Sequence, residues 1–288
     1  MDNAADDQYY VPHGTTWPFI GSIGLTTFLV GFIMLLNGGA NGKYAMIAGA
    51  VILIYMMFGW FGEVIAESEK NTYNNWEGKS FRLGMSWFIF SEVMFFAVFF
   101  GALFYARILS VPWLGGAGEE ADTNRILWDG FQAVWPTNGP GNVGGEFQRM
   151  AAWGLPALNT LILLTSGATV TWAHHAIKKN DRKNLIRGLT ATVVLGFLFV
   201  FLQAIEYKEA YHEGLTMGTG IYGSTFYLLT GFHGLHVTLG AVMLTVVLFR
   251  SMKGHFTPQN HFAFEAAAWY WHFVDVVWLG LFIFVYWL

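Results

Sequence analysis

A few polar residues stand in otherwise apolar surroundings, and their types and spacing are those of chemistry. His233-x-x-His236 and His272-x-x-Asp275 each place two side chains three positions apart, on one side of a helix. Glu92 stands alone in the run Ser91-Glu-Val-Met-Phe-Phe96. Imidazole is the usual ligand of haem and copper, so His233, His236 and His272 offer three nitrogens to such a centre. The same residues also suit a buried hydrogen-bond network that ties helices together. A lone buried carboxyl such as Glu92 suits a proton relay, a gate, or a packing group that keeps its proton. With Glu265 as origin and about 100° per residue, His272 and Asp275 fall within about 80° of it, so the three share a face. His233 and His236 are about 60° apart on theirs. Both stripes are expected to face the protein interior. Glu63, Glu206 and Glu265 lie nearer span ends, within expected reach of interfacial water. His174 and His175 read as loop or headgroup contacts.

The elements that hold these residues are apolar runs. A bilayer core takes about 20 residues of helix, and seven runs qualify: Trp17–Leu36, Lys43–Ile65, Phe81–Arg107, Ala151–Ala176, Gly188–Lys208, Tyr222–Arg250 and Glu265–Leu288. Continuous runs such as Val93–Phe100 do not alternate as barrel strands do. Glu92 falls roughly 17 Å into the third run, near mid-membrane. The organisation read from these runs is a tail 1–16, a two-helix unit 17–65, an inner loop 66–80, and a five-helix unit 81–288 with a long outer loop at 108–150. That loop is glycine-rich and acidic, with Glu119, Glu120, Asp122, Asp129 and Glu146. It reads as a solvated loop or as a docking surface for a basic partner.

Lysine and arginine in the connections set the orientation. With the N-terminus inside, the inner side takes ten of the 15 basic residues and the outer side five, and the tract Lys178–Lys183 carries most of the bias. The expectation is N-terminus in and C-terminus out. The acidic segment 1–16 lacks the pattern of a signal peptide.

Composition excludes several classes. The chain has 288 residues, 55% apolar and only 12% charged, with a mean hydropathy of +0.43. Soluble domains carry about 25% charged residues, so this one cannot cover itself in water. There is no cysteine, which removes disulfides, thiolate metal sites, iron–sulfur clusters and cysteine nucleophiles. A net charge of −4 gives no support to nucleic-acid binding. No nucleotide-binding glycine pattern and no nucleophile–base pair is visible. Aromatics at span ends, including Trp17, Trp60, Trp172 and Trp287, suit interfacial belts, whereas Trp87, Trp271 and Trp278 fall inside spans and read as packing.

The C-terminal third is more specific. Tyr222-Gly-Ser-Thr-Phe, Thr230-Gly-Phe-His-Gly-Leu-His-Val and Phe264-Glu-Ala-Ala-Ala-Trp-Tyr-Trp-His-Phe-Val-Asp-Val-Val-Trp278 closely resemble subunit III of the aa3-type cytochrome c oxidases. Trp17-Pro18, Ser91–Phe96, Thr171-Trp-Ala-His-His175 and Asp181-Arg-Lys183 agree in order. The resemblance implies an all-α membrane fold of seven helices, the first two splayed from a five-helix bundle, with phospholipid in the cleft between. It implies an accessory subunit without a cofactor of its own. Haem a, haem a3, CuA and CuB belong to partner subunits I and II, and cytochrome c meets the complex as donor. It implies stabilisation of subunit I, support of proton uptake, and protection against inactivation during turnover. Glu92 matches the family's buried third-helix glutamate. Trp60, Phe61, Glu63 and Arg250 are the implied lipid-binding positions, with Arg250 on lipid phosphate. The stretch Phe58–Glu67 departs from mitochondrial members in lacking their two arginines, and the outer loop is longer, so a bacterial inner membrane is expected over a mitochondrial one. Other readings are the same subunit in a quinol oxidase, a stand-alone channel or transporter centred on Glu92, His233 and Asp275, and a subunit holding its own haem.

Overall fold

The computed structural model describes residues 14–70, 73, 75–118 and 121–288. Among them every regular element is a helix. The long ones are α1 (Trp17–Leu36), α2 (Gly42–Glu69), α3 (Asn75–Phe104), α6 (Leu155–Lys178), α7 (Arg182–His212), α8 (Gly220–Lys253) and α9 (Phe262–Leu281). Short helices α4 (Val111–Leu114) and α5 (Ala121–Leu127) lie between α3 and α6, and π-helical turns follow α3 (Tyr105–Ser110) and α9 (Phe282–Trp287). Helix is the expected outcome in hydrocarbon, because it satisfies every backbone N–H and C=O within one segment.

Six helices are long and apolar enough to cross a membrane, one fewer than the seven runs expected. The helix that falls short is α6. It carries Asn159, Thr160, Thr165, Ser166, Thr169, Thr171, His174 and His175. Several of its hydroxyls are spent on its own backbone: Thr160 donates to Pro156 O at 2.8 Å and Thr165 to Leu161 O at 2.7 Å. The third run is longer than expected and extends as 39 helical residues from Trp76 to Leu114. The expected inner loop 66–80 is largely helical, since α2 continues to Glu69 and α3 starts at Asn75. Most of the tail 1–16 lies outside the described residues, as do Glu119 and Glu120.

The chain forms two compact units, one ending at Leu83 and one beginning at Gly84. In the first, α1 packs along α2 at backbone contact distance. A Cβ on Gly31 would lie 2.4 Å from Met46 N and 2.8 Å from Gly42 O, so only glycine allows this approach. At the far end of the pair, Trp17 Nε1 donates to Glu63 Oε2 at 2.6 Å.

In the second unit α6, α7, α8 and α9 pack pairwise, with α9 most deeply buried. Trp271 and Trp278 of α9 are fully buried, and each indole N–H finds a hydroxyl on α6: Ser166 Oγ and Thr160 Oγ1, both at 2.9 Å. Buried indoles with satisfied N–H groups contribute area without a desolvation penalty. The expected packing role of these two residues is thus joined to a hydrogen bond across helices. The segment expected as an outer loop is locally ordered. Asn124 Nδ2 lies 2.9 Å from Leu114 O and 3.1 Å from Trp128 O, and Asn138 Nδ2 donates to Gly145 O at 2.8 Å.

Candidate functional site: buried polar pairs between helices

Glu92 meets His236. The Oε2 to Nε2 distance is 2.9 Å, and the other ring nitrogen of His236 lies 2.6 Å from Phe232 O. Phe96 at 5.0 Å and Phe95 at 5.9 Å pack on the imidazole. The pair links α3 to α8. His236 is nearly buried, whereas the Glu92 side chain keeps 21% of its surface.

His233, one turn earlier on α8, points elsewhere. Its Nε2 lies 3.2 Å from Val274 O on α9, and its ring packs between Phe199 at 5.6 Å and Trp278 at 5.1 Å. His272 reaches Thr171 Oγ1 on α6 through Nε2 at 3.2 Å, and its Nδ1 lies 3.6 Å from Asp275 Oδ2. Asp275 is buried against Gly167, where a Cβ would come within 2.5 Å of Oδ2.

These positions bear on two of the readings. The three histidines do not converge: one serves the α9 backbone, one serves Glu92, and one serves Thr171 and Asp275. Among the described residues no group of three or more His, Cys, Asp or Glu side chains is arranged to hold a metal ion. His272 is also not interior. Its side chain is 46% exposed, so this part of the α9 stripe lies at the edge of the bundle while Asp275 is inside it. Glu265 lies in the first turn of α9, and the ring of His174 lies 5.8 Å from that of His261, at the same end.

The implied lipid positions are divided between the two units. On α2, Trp60 and Phe61 are exposed and their rings stack at 5.7 Å. Glu63 is exposed, but its carboxylate is occupied by the Trp17 indole. Arg250, near the end of α8, is buried with its guanidinium over the Phe256 ring at 4.6 Å.

Glu206 is the residue that sequence reasoning misplaced. Position near a span end suggested access to water, yet it has no exposed surface at all. The C-terminal π turn covers it, and Tyr286 Oη donates to Glu206 Oε1 at 2.6 Å. Gln203, one turn earlier, and Asn159 of α6 complete a buried polar cluster. The spacing Gln203-x-x-Glu206 was the available signal, since it puts both on one face of α7.

Comparison with known proteins reads the same features at the level of the whole chain. The family model for cytochrome c oxidase subunit III matches residues 7–121 and 130–288. The chain belongs to the cytochrome c oxidase subunit III family. Cytochrome c oxidase subunit 3 of Marchantia polymorpha is 41% identical over 288 residues, covering 100% of this chain and 98% of the relative. The subunit 3 proteins of Gadus morhua and Arabidopsis thaliana are each 40% identical, covering 97% of this chain and 96% of the relative. The resemblance read from the C-terminal motifs therefore extends over nearly the whole length. As a subunit III family member, the chain is a multi-pass membrane component of an oxidoreductase complex. The family model leaves out 122–129, a stretch inside the long acidic connection.

Proposed function

We propose that the chain is an accessory subunit, without a cofactor of its own, of a proton-pumping oxidase that passes electrons from cytochrome c to oxygen. Subunits I and II carry haem a, haem a3, CuA and CuB. This chain stabilises subunit I, supports proton uptake, and protects the complex during turnover. It crosses the membrane seven times, α6 included, with the N-terminus inside and the C-terminus outside, in a bacterial inner membrane. Its first two helices splay from the other five, and phospholipid fills the cleft.

The observation that carries this reading is how the intramembrane polar groups are used. Glu92, His233, His236 and His272 each meet a group on a neighbouring helix, and Asp275 lies 3.6 Å from His272 on its own helix, which is the behaviour of a scaffold rather than of a ligand cage. A helix as hydroxyl-rich as α6 is supported as a span by its internal hydroxyl bonds and by its cover from α7 and α9. The ten-to-five division of basic residues supports the orientation. The exposed stacked pair Trp60–Phe61 suits a lipid-facing surface. The donor is taken from the relatives' names, which specify cytochrome c.

The test is purification from the native membrane, identification of co-purifying chains, and an optical spectrum of each separated subunit. The expected result is co-purification with a haem–copper subunit and no haem on this polypeptide. Isolation without any haem-bearing partner would favour a stand-alone channel or transporter built on Glu92, His233 and Asp275.

A further inference from the structure

The cluster at Glu206 contains an accounting problem. Glu206 has no exposed surface, and Tyr286 Oη donates to its Oε1 at 2.6 Å. Its second oxygen, Oε2, is buried with no hydrogen-bond partner. Asn159 Oδ1 on α6 is likewise buried with no partner. The amides between them make long contacts: Asn159 Nδ2 to Gln203 Oε1 at 3.4 Å and Gln203 Nε2 to Tyr286 Oη at 3.5 Å. Two buried acceptors, one on α6 and one on α7, are therefore left without a direct partner.

The charged neighbours do not resolve this. Among the described residues no lysine or arginine forms an ion pair with Glu206. Arg149 is near but is spent on the carbonyls of Tyr286 at 2.8 Å and Trp287 at 3.0 Å. Tyr207 on the same helix bonds Thr230 of α8 at 2.7 Å, and Glu209 adds a like charge further along α7. Tyr222 lies on α8 nearby. An unpaired buried carboxylate is among the costliest groups a protein can hold, whereas a carboxylic acid brings a donor of its own. One proton on Oε2 removes the buried charge and turns that orphaned acceptor into a donor.

We propose that Glu206, Tyr286, Gln203 and Asn159 form a proton-holding site, in which Glu206 carries an exchangeable proton. The site is distinct from the Glu92–His236 pair. It lies at the end of α7 opposite the basic segment Arg182–Arg187, where α6 begins and the last π turn ends. It does not depend on the identity of the electron donor or on the oxidase reading.

The test is infrared spectroscopy of the protein purified from its native membrane with its co-purifying chains, at neutral pH, in H2O and in D2O. The expected result is a carboxylic-acid C=O band that shifts down in D2O and is lost in Glu206→Gln. In Tyr286→Phe the band persists but moves to higher frequency, because its carbonyl oxygen loses the phenol hydrogen bond. The same band must survive in Glu92→Gln and Asp275→Asn. A spectrum in which Glu206→Gln removes no such band overturns the proposal, and so does a Glu206 band unmoved by D2O. Should Glu206→Gln fail to accumulate, Tyr286→Phe and the D2O shift decide alone.

Discussion

Glu92 on α3 and His236 on α8 are 144 residues apart in sequence and 2.9 Å apart in space. This contact joins α3 to α8. Glu92→Gln preserves a group able to hydrogen-bond the imidazole, so assembly and most electron transfer are expected to persist. Glu92→Leu strands His236 Nε2 and is expected to cost about 1–3 kcal/mol. Thermal unfolding of both variants, with oxidase turnover measured beside it, checks the contrast. Complete loss of turnover in a fully assembled Glu92→Gln complex would contradict it.

Gly31 tests the α1–α2 pair. Main-chain atoms at 2.4 and 2.8 Å from its notional Cβ cannot move aside as a side chain would. Gly31→Leu is therefore expected to prise the helices apart, at about 1–3 kcal/mol. Limited proteolysis in the connection 37–41 should accelerate in the variant; unchanged cleavage would show that the contact is dispensable.

Asp181 gives a pH dependence outside the spans. It caps α7, with Asn184 N donating to Oδ1 at 3.1 Å and Asn184 Nδ2 to Oδ2 at 2.6 Å. The Asn184 backbone N–H is the main cause holding this carboxyl below its usual range. A lowered folded value means stabilisation that is present above the unfolded carboxylate range and is lost as pH falls through the folded value. Acid should therefore loosen the first turn of α7 in the wild type more than in Asp181→Asn. Hydrogen exchange of that turn across the acid range reads this directly, and equal pH profiles would count against it.

Arg250 tests the proposed lipid role. Its guanidinium is buried over Phe256 near the inner end of α8 in the proposed orientation. Arg250→Ala is expected to release tightly bound anionic lipid and to hasten inactivation during turnover. Lipid mass spectrometry of the purified complex decides, with unchanged retention as the contrary result.

The all-helical, membrane-spanning character was legible in the sequence, because hydropathy is a local sum and hydrocarbon permits few alternatives for an apolar run, whereas the number of qualifying spans and several bounds were not. The sequence also picked out Glu92, His233, His236, His272 and Asp275, since polar residues in such runs are conspicuous, and the C-terminal string of motifs disclosed the family. Only the tertiary structure decided the partners. The His233-x-x-His236 spacing did not reveal that one ring serves α9 and the other α3, because that depends on which helices pack on each face of α8. Nor did it show His272 at the bundle edge. Glu206 is the clearest case. Position along α7 suggested interfacial water, and Tyr286, 80 residues later, sealed it instead. Burial of a side chain is set by what folds over it, and that is a property of the packed bundle rather than of the run in which the residue sits.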